Sequence, residues 1–357
     1  MDLTARLRAW THGRQGLGDP ARSPAAALRV VVAVYSAHPT APLALAARTV
    51  RMSAEDFRRL ERRRAALRIP AMRGSLFLAP AESAGRTFTP FILSSAHLAT
   101  RLRRGGMSAE EYAVVADRVV AAATEPLLPK QLHDVAGVSG LGMSILLRTI
   151  RGQGRLLAVS DGSLRVATLR YVATESWAPG SLDVADASAA LSDLAGEYLH
   201  AYGPARIADF AWWTGLARGT AARALGAHDT IDVGEGLLLP AADESAFTAV
   251  KRLTGSVDLL PKWDPYTMGH APEGRGRLVH PANQAAIYVQ KGVVAPGQPN
   301  MGLPGDGYPV VLVDGEAVGT WSLTLKGATV ELFDTMGPRV ERRLDERLDE
   351  TRALLSG

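Results

Sequence analysis

Not one cysteine occurs in the 357 residues. That excludes a disulfide framework, thiolate catalysis, an iron–sulfur cluster on thiolates and any zinc site that uses sulfur. Lysine is nearly as scarce, with 5 among the 40 basic residues, so Arg carries the positive charge. No stretch approaches the roughly 18 uncharged apolar residues of a membrane-spanning helix. The start, Met1-Asp2-Leu3-Thr4-Ala5-Arg6, lacks the basic-then-apolar order of a secretory signal, and a cytoplasmic protein with no membrane partner is expected. Also missing are His-Glu-x-x-His, Gly-x-x-x-x-Gly-Lys-Ser/Thr, Gly-x-Gly-x-x-Gly and Gly-x-Ser-x-Gly. His133, His200, His228, His270 and His280 have no ligand spacing, so no metal and no other cofactor is expected. Nucleotide hydrolysis, dinucleotide chemistry and a nucleophile elbow likewise have no support.

What is present is enough apolar residue, 47%, for a sizeable core, in a chain long enough for two to four domains. The net charge of +4 is unevenly spread. Residues 1–106 hold 18 Arg and six acids, a surplus of +12, whereas 107–180 balance, 181–253 come to −5 and 254–357 to −3. A lopsided basic end suits a polyanion, because each neutralised phosphate releases counterions. Solvated Arg-rich helices would produce the same count.

Periodicity places helices over 109–123, 130–136 and 143–151, closed by Gly137 and Gly152. Arg155–Val159 and Leu164–Ala167 then flank the turn Asp161-Gly162, a hairpin signal. Helix, helix, helix, hairpin is the order of a winged helix. It recurs as helices over 187–202, 204–213 and 218–225 with strands at 230–233 and 236–239. Less distinctly, it recurs at the start, with helices at 2–11, 24–34, 41–50 and 53–66 and a strand at 73–78. Beyond Gly255 short strands follow at 285–289, 308–313, 317–322 and 329–333, with turns at Asp314-Gly315 and Lys326-Gly327 and a Gly- and Pro-rich loop over 292–307. A charged helix over 338–355 carries the stripe Val340, Leu344 and Leu348. The expected class is α+β: tandem winged-helix units at 1–106, 107–180 and 181–253, a small barrel-like β domain at 254–336, and a terminal helix at 337–357.

Four strings carry a family likeness: Met72-Arg73-Gly74-Ser75-Leu76-Phe77-Leu78-Ala79-Pro80, Asp209-Phe210-Ala211-Trp212-Trp213-Thr214-Gly215-Leu216, Leu259-Leu260-Pro261-Lys262-Trp263-Asp264-Pro265-Tyr266, and Val311 to Trp321. In order and spacing they resemble the AlkZ-like or YcaQ-like winged-helix DNA glycosylases, across essentially the whole chain. The resemblance implies a nucleoid-associated monomer on double-stranded, alkylated DNA that excises N7- or N3-alkylated purines, bulky natural-product adducts or crosslinks in self-resistance. It also implies a catalytic Gln-x-Gln or Gln-x-Asp beside the string Leu43-Ala44-Leu45-Ala46-Ala47-Arg48. Here the chain departs. An ungapped match puts Val34 and Ser36 at the paired positions, and a match on the nearby proline puts Tyr35 and Ala37 there.

The catalytic candidates are therefore His38, Tyr35 and Ser36, with His38 suited to general-base work near neutral pH. The DNA-binding candidates are Arg73, Arg148, Arg151, Arg155, Lys262, Trp263, Asp264, Arg275 and Arg277, the last two in a turn expected to reach a groove. Trp212, Trp213 and Trp321 read as core. Two function classes stay open: a monofunctional glycosylase, and a non-catalytic winged-helix protein that regulates or shields lesions.

Overall fold

Strands interrupt the first segment where the periodicity reads as helix. The computed structural model describes residues 1–357 apart from 167, 184–185, 290–304 and 325–326. The first segment runs as helices Leu3–Arg14, Pro24–Val30, Ala41–Ala46 and Ala54–Arg62 with strands β1 (Val34–Tyr35), β2 (Ala66–Pro70) and β3 (Leu76–Pro80). The helices predicted over 24–34 and 53–66 stop short. Val31-Val32-Ala33-Val34 is rich in β-branched side chains, which lose rotamer freedom in a helix and pack well on a pleated sheet. The strand predicted over 73–78 begins only at Leu76, because Met72-Arg73-Gly74 makes the tight turn of the β2–β3 hairpin, with φ of 57° at Arg73 and 68° at Gly74.

The second segment has helices Ala109–Ala122, Pro129–Ala136 and Gly140–Gly152, then β4 (Leu156–Ser160) and β5 (Leu169–Ala173). Its first helix starts on a reciprocal cap: Glu111 N–H donates to Ser108 Oγ at 3.1 Å and Ser108 N–H to the Glu111 carboxylate at 2.8 Å. The partner strand comes later than the Asp-Gly signal suggests. Residues 164–166 are not strand, Ala167 lies outside the described residues, and β4 pairs with β5 in the register Leu156↔Ala173. β4 also meets β2 through Arg68 and Ala158, so segments on both sides of residue 106 share one five-stranded antiparallel sheet, β1-β3-β2-β4-β5.

Alternation along β4 divides the core. Leu157 faces helices Ala187–Tyr202 and Ile207–Thr214, packing in the cluster of Leu194, Tyr198, Tyr202, Phe210 and Trp213. Leu156 and Ala158 face the other way, into the cluster of Val119, Leu146 and Ile150. The third segment follows the predicted order, with helix Arg218–Leu225 and the strand pair β6 (Thr230–Asp232) and β7 (Leu238–Pro240).

Beyond it, β8 (Val257–Leu260), β9 (Val310–Val313), β10 (Glu316–Thr324) and β11 (Gly327–Leu332) form an antiparallel sheet of order β11-β10-β9-β8. Among the described residues β8 and β11 do not pair, so the sheet is open where closure into a barrel is expected. The strand predicted over 285–289 is instead a helical turn, Gln284–Ile287, and only Tyr288 bridges, to Gly307. Most of the predicted loop 292–307, and Lys326 of the turn Lys326-Gly327, lie outside the described residues. Helix Pro338–Ser356 packs along β8 and buries Leu344, Leu348, Leu354 and Leu355 in the cluster that also holds Phe57, Val257, Leu259, Val311 and Trp321. Among the described residues no helix is long and apolar enough to cross a membrane.

Candidate active site

The strings that stand out in the sequence meet in space, and buried ion pairs join them. Arg48 and Asp264, 216 positions apart, are both fully buried and form a two-pronged pair, Nη1–Oδ2 at 2.9 Å and Nη2–Oδ1 at 2.7 Å. Asp264 also accepts the Tyr266 N–H at 2.8 Å, capping the turn that follows. Asp209 accepts the Ala271 N–H at 2.9 Å and pairs with Arg206. Arg277, 3.9 Å from Asp209, donates to the Pro204 carbonyl at 2.6 Å. Two of the expected DNA contacts are thereby corrected: Asp264 and Arg277 are interior residues whose polar atoms are occupied by the protein. Arg275 is corrected as well. It is 2% exposed, not on a reaching loop, with its guanidinium carbon 3.8 Å from the Tyr288 ring centroid and 4.9 Å from that of Trp212. Burial lowers its pKa, and its Nε and Nη2 have no hydrogen-bond partner among the described residues.

On this base stands a cavity of about 240 Å³ whose walls include Tyr35, Phe77, Trp212 and Trp263, with Arg73 and Asp306 also lining it. β1 and β3 place Tyr35 opposite Phe77, edge to face at 5.9 Å. Trp263 lies 4.7 Å from Tyr35 and 4.7 Å from His38, nearly parallel to the imidazole. Lys262 holds its Nζ 4.3 Å above the Trp263 ring. Arg73 lies 4.7 Å from the Trp212 ring, and a Cβ on Gly215 would stand 3.0 Å from Arg73 Cγ, so glycine there lets the end of the Trp212 helix close on the hairpin turn. Arg73 and Trp263 both adopt left-handed backbone conformations, φ 57° and 58°, as do Val32, Arg51, Arg64, Glu235 and Asp314 elsewhere in the chain.

The titratable groups are tuned by this packing. Burial, reinforced by the Lys262 cation, pushes the His38 pKa below its ordinary 6.5, so the imidazole is neutral at pH 7. Burial and the Asp306 charge push the Tyr35 phenol up to about 12. Ser36 is not part of the wall. It is buried, its N–H bonds the Leu76 carbonyl at 2.9 Å, and its Oγ has no hydrogen-bond partner among the described residues.

Beside the cavity, and sharing Tyr35, Arg73 and Ser75 with it, lies a second hollow of about 350 Å³. Arg73, Arg101, Arg148 and Arg151 converge there, and among the described residues no carboxylate lines it. Burial, and then the neighbouring Arg148 cation, lower the pKa of Arg101 and Arg151. Arg155 stands apart, paired with Asp117 at 2.6 Å. Among the described residues no three His, Asp or Glu cluster as metal ligands.

Sequence reasoning misses Arg101, Trp212 and Asp306. Arg101 belongs to the basic surplus of the first third, Trp212 is hidden by its pairing with the core residue Trp213, and Asp306 is the one acid of the loop 292–307.

A family described as DNA glycosylase AlkZ-like matches the chain over residues 27–354. Among solved structures the fold is similar to that of Streptomyces sahachiroi DNA glycosylase AlkZ, with a TM-score of 0.77 at 18% sequence identity over 99% of this chain and 96% of that one. Comparison with curated proteins gives no match.

Proposed function

Since the chain belongs to the AlkZ-like DNA glycosylase family, and so to the DNA-binding proteins of DNA repair, we propose that it is a monofunctional glycosylase. On this reading it acts as a monomer on duplex DNA and hydrolyses the N-glycosidic bond of N7- or N3-alkylated purines, bulky adducts included. The observation that carries the reading is the adjacency of the two hollows: an aromatic cavity shares Tyr35, Arg73 and Ser75 with a four-Arg hollow that no carboxylate lines among the described residues. A base swung out of the duplex stacks between Tyr35, Trp212 and Trp263, while Arg101, Arg148 and Arg151 hold the phosphates around it. Tandem winged helices around the duplex, with helix Gly140–Gly152 presenting Arg148, fit the same docking.

An alkylated purine is already a good leaving group, so the protein has only to stabilise an oxocarbenium-like sugar and aim a water. Neutral His38, stacked on Trp263, is the general base for that water. His38→Ala is expected to slow single-turnover release of 7-methylguanine about 100-fold while duplex affinity changes little. Only the neutral imidazole accepts the proton, and its pKa is lowered, so the acid limb of the wild-type rate falls below pH 6.5. A limb at or above pH 6.5, or one that survives in the variant, removes His38 from the role.

The deciding experiment incubates the protein with a duplex bearing N7-methylguanine or a bulky adduct and looks for free base and alkali-labile abasic sites. Borohydride added during turnover is expected to trap no protein–DNA crosslink, and a trapped adduct at Lys262 overturns the monofunctional reading. A non-catalytic lesion shield is favoured by one observation, the absence of Gln at Tyr35, Ala37, Val34 and Ser36. Tight binding with no base released establishes the shield.

A further inference from the structure

Cations crowd the aromatic cavity. Arg73 lines it, Arg275 lies against Trp212 behind it, and Lys262 caps Trp263. A sugar that develops positive charge at C1′ is repelled by all three. Among the described residues that line the cavity, one carboxylate answers them, Asp306, on the segment that returns toward β9. Its backbone is anchored, the carbonyl accepting the Val289 N–H at 2.8 Å, and the neighbouring Gly307 N–H contacts Met268 sulfur at 3.2 Å.

Resting on the glycosylase reading above, we propose that Asp306 is a catalytic residue: its carboxylate stabilises the oxocarbenium-like sugar while His38 takes the water's proton. The C1′–N bond breaks with both electrons leaving on the alkylated purine, which departs neutral. The sugar carries the positive charge until a water oxygen bonds to C1′, and the water's proton passes to His38. Asp306 forms no bond in this sequence and works by charge alone, at a site where water is displaced and a fixed charge acts most strongly.

Its field already reaches the groups around the cavity. It opposes ionisation of the Tyr35 phenol and favours the charged forms of Lys262 and Arg275. It also gives the protein a substitute for the family's Gln pair, supplied from the C-terminal part of the chain and not from the segment beside Leu43–Arg48.

The test compares binding of two duplexes, one with a cationic pyrrolidine in place of the abasic sugar and one with a neutral tetrahydrofuran. Wild-type protein is expected to bind the cationic duplex on the order of 30-fold tighter, Asp306→Asn to bind both within about threefold, and Asp306→Glu to keep part of the preference. Single-turnover excision by Asp306→Asn is expected to fall about 100-fold. Thermal melting within a few degrees of wild type shows that the variants are folded, and Asp306→Glu serves if the Asn form is not. Equal binding of the two duplexes by wild type, or a preference or excision rate unchanged in Asp306→Asn, overturns the role. Charge preference that depends on Asp306 in a protein that releases no alkylated base would instead sustain the charge assignment and refute the glycosylase reading.

Discussion

Replacing Asp264 with Ala is expected to lower the folding free energy by about 3–5 kcal/mol, because Arg48 is left as an uncompensated charge in the interior. Both side chains are fully buried, and the pair spans 216 positions, joining the helix Ala41–Ala46 region to the turn before Tyr266. Urea unfolding measures the loss. Most of that cost is the stranded cation and not the worth of the pair, so the double replacement Arg48→Met with Asp264→Leu should recover a large part of it. Under conditions where Asp264→Ala remains folded, duplex affinity should match wild type. A variant with full stability and weakened DNA binding would restore Asp264 to the interface.

The other large effect lies in the groove. Removing Arg101, Arg148 and Arg151 together is expected to reduce the slope of log affinity against log salt by about 2.7, at roughly 0.9 per phosphate contact, and to weaken duplex binding about 100- to 1,000-fold near 0.1 M salt. Their convergence with no carboxylate among the described lining residues is the reason, since the like charges of Arg101, Arg148 and Arg151 stand uncompensated until phosphates arrive. Arg155→Ala is the internal comparison. Its guanidinium is paired with Asp117, so its loss should leave the slope unchanged. A triple variant with the wild-type slope would place the duplex elsewhere on the molecule.

Several features of this protein are local and were therefore decided by its sequence alone. The reciprocal cap at Ser108 and Glu111, the helices over 109–152 and 187–225, and the apolar stripe of the terminal helix each follow from residues within a few positions of one another. The basic surplus of residues 1–106 and the four family strings are equally legible, and with them the likeness to DNA glycosylases.

Other features depended on residues far apart in the chain. Whether Asp264 and Arg277 face DNA turns on Arg48, Asp209 and Pro204, at separations of 68 to 216 positions, and nothing in the local pattern distinguishes a surface Asp from one with a buried partner. Trp212 and Trp213 are adjacent and chemically identical. Both reach the cavity wall, but Trp213 is buried in the core and Trp212 only half-buried, because successive helix positions point about 100° apart and the hairpin turn at Arg73 packs on Trp212. Asp306 acquires its place in the same way, since a lone acid in a Gly-rich stretch becomes the carboxylate of an aromatic cavity only when the fold brings it beside Tyr35 and Trp263. Side-chain chemistry is written one residue at a time, but a site is a set of distances, and those were set only when the sheets and helices packed.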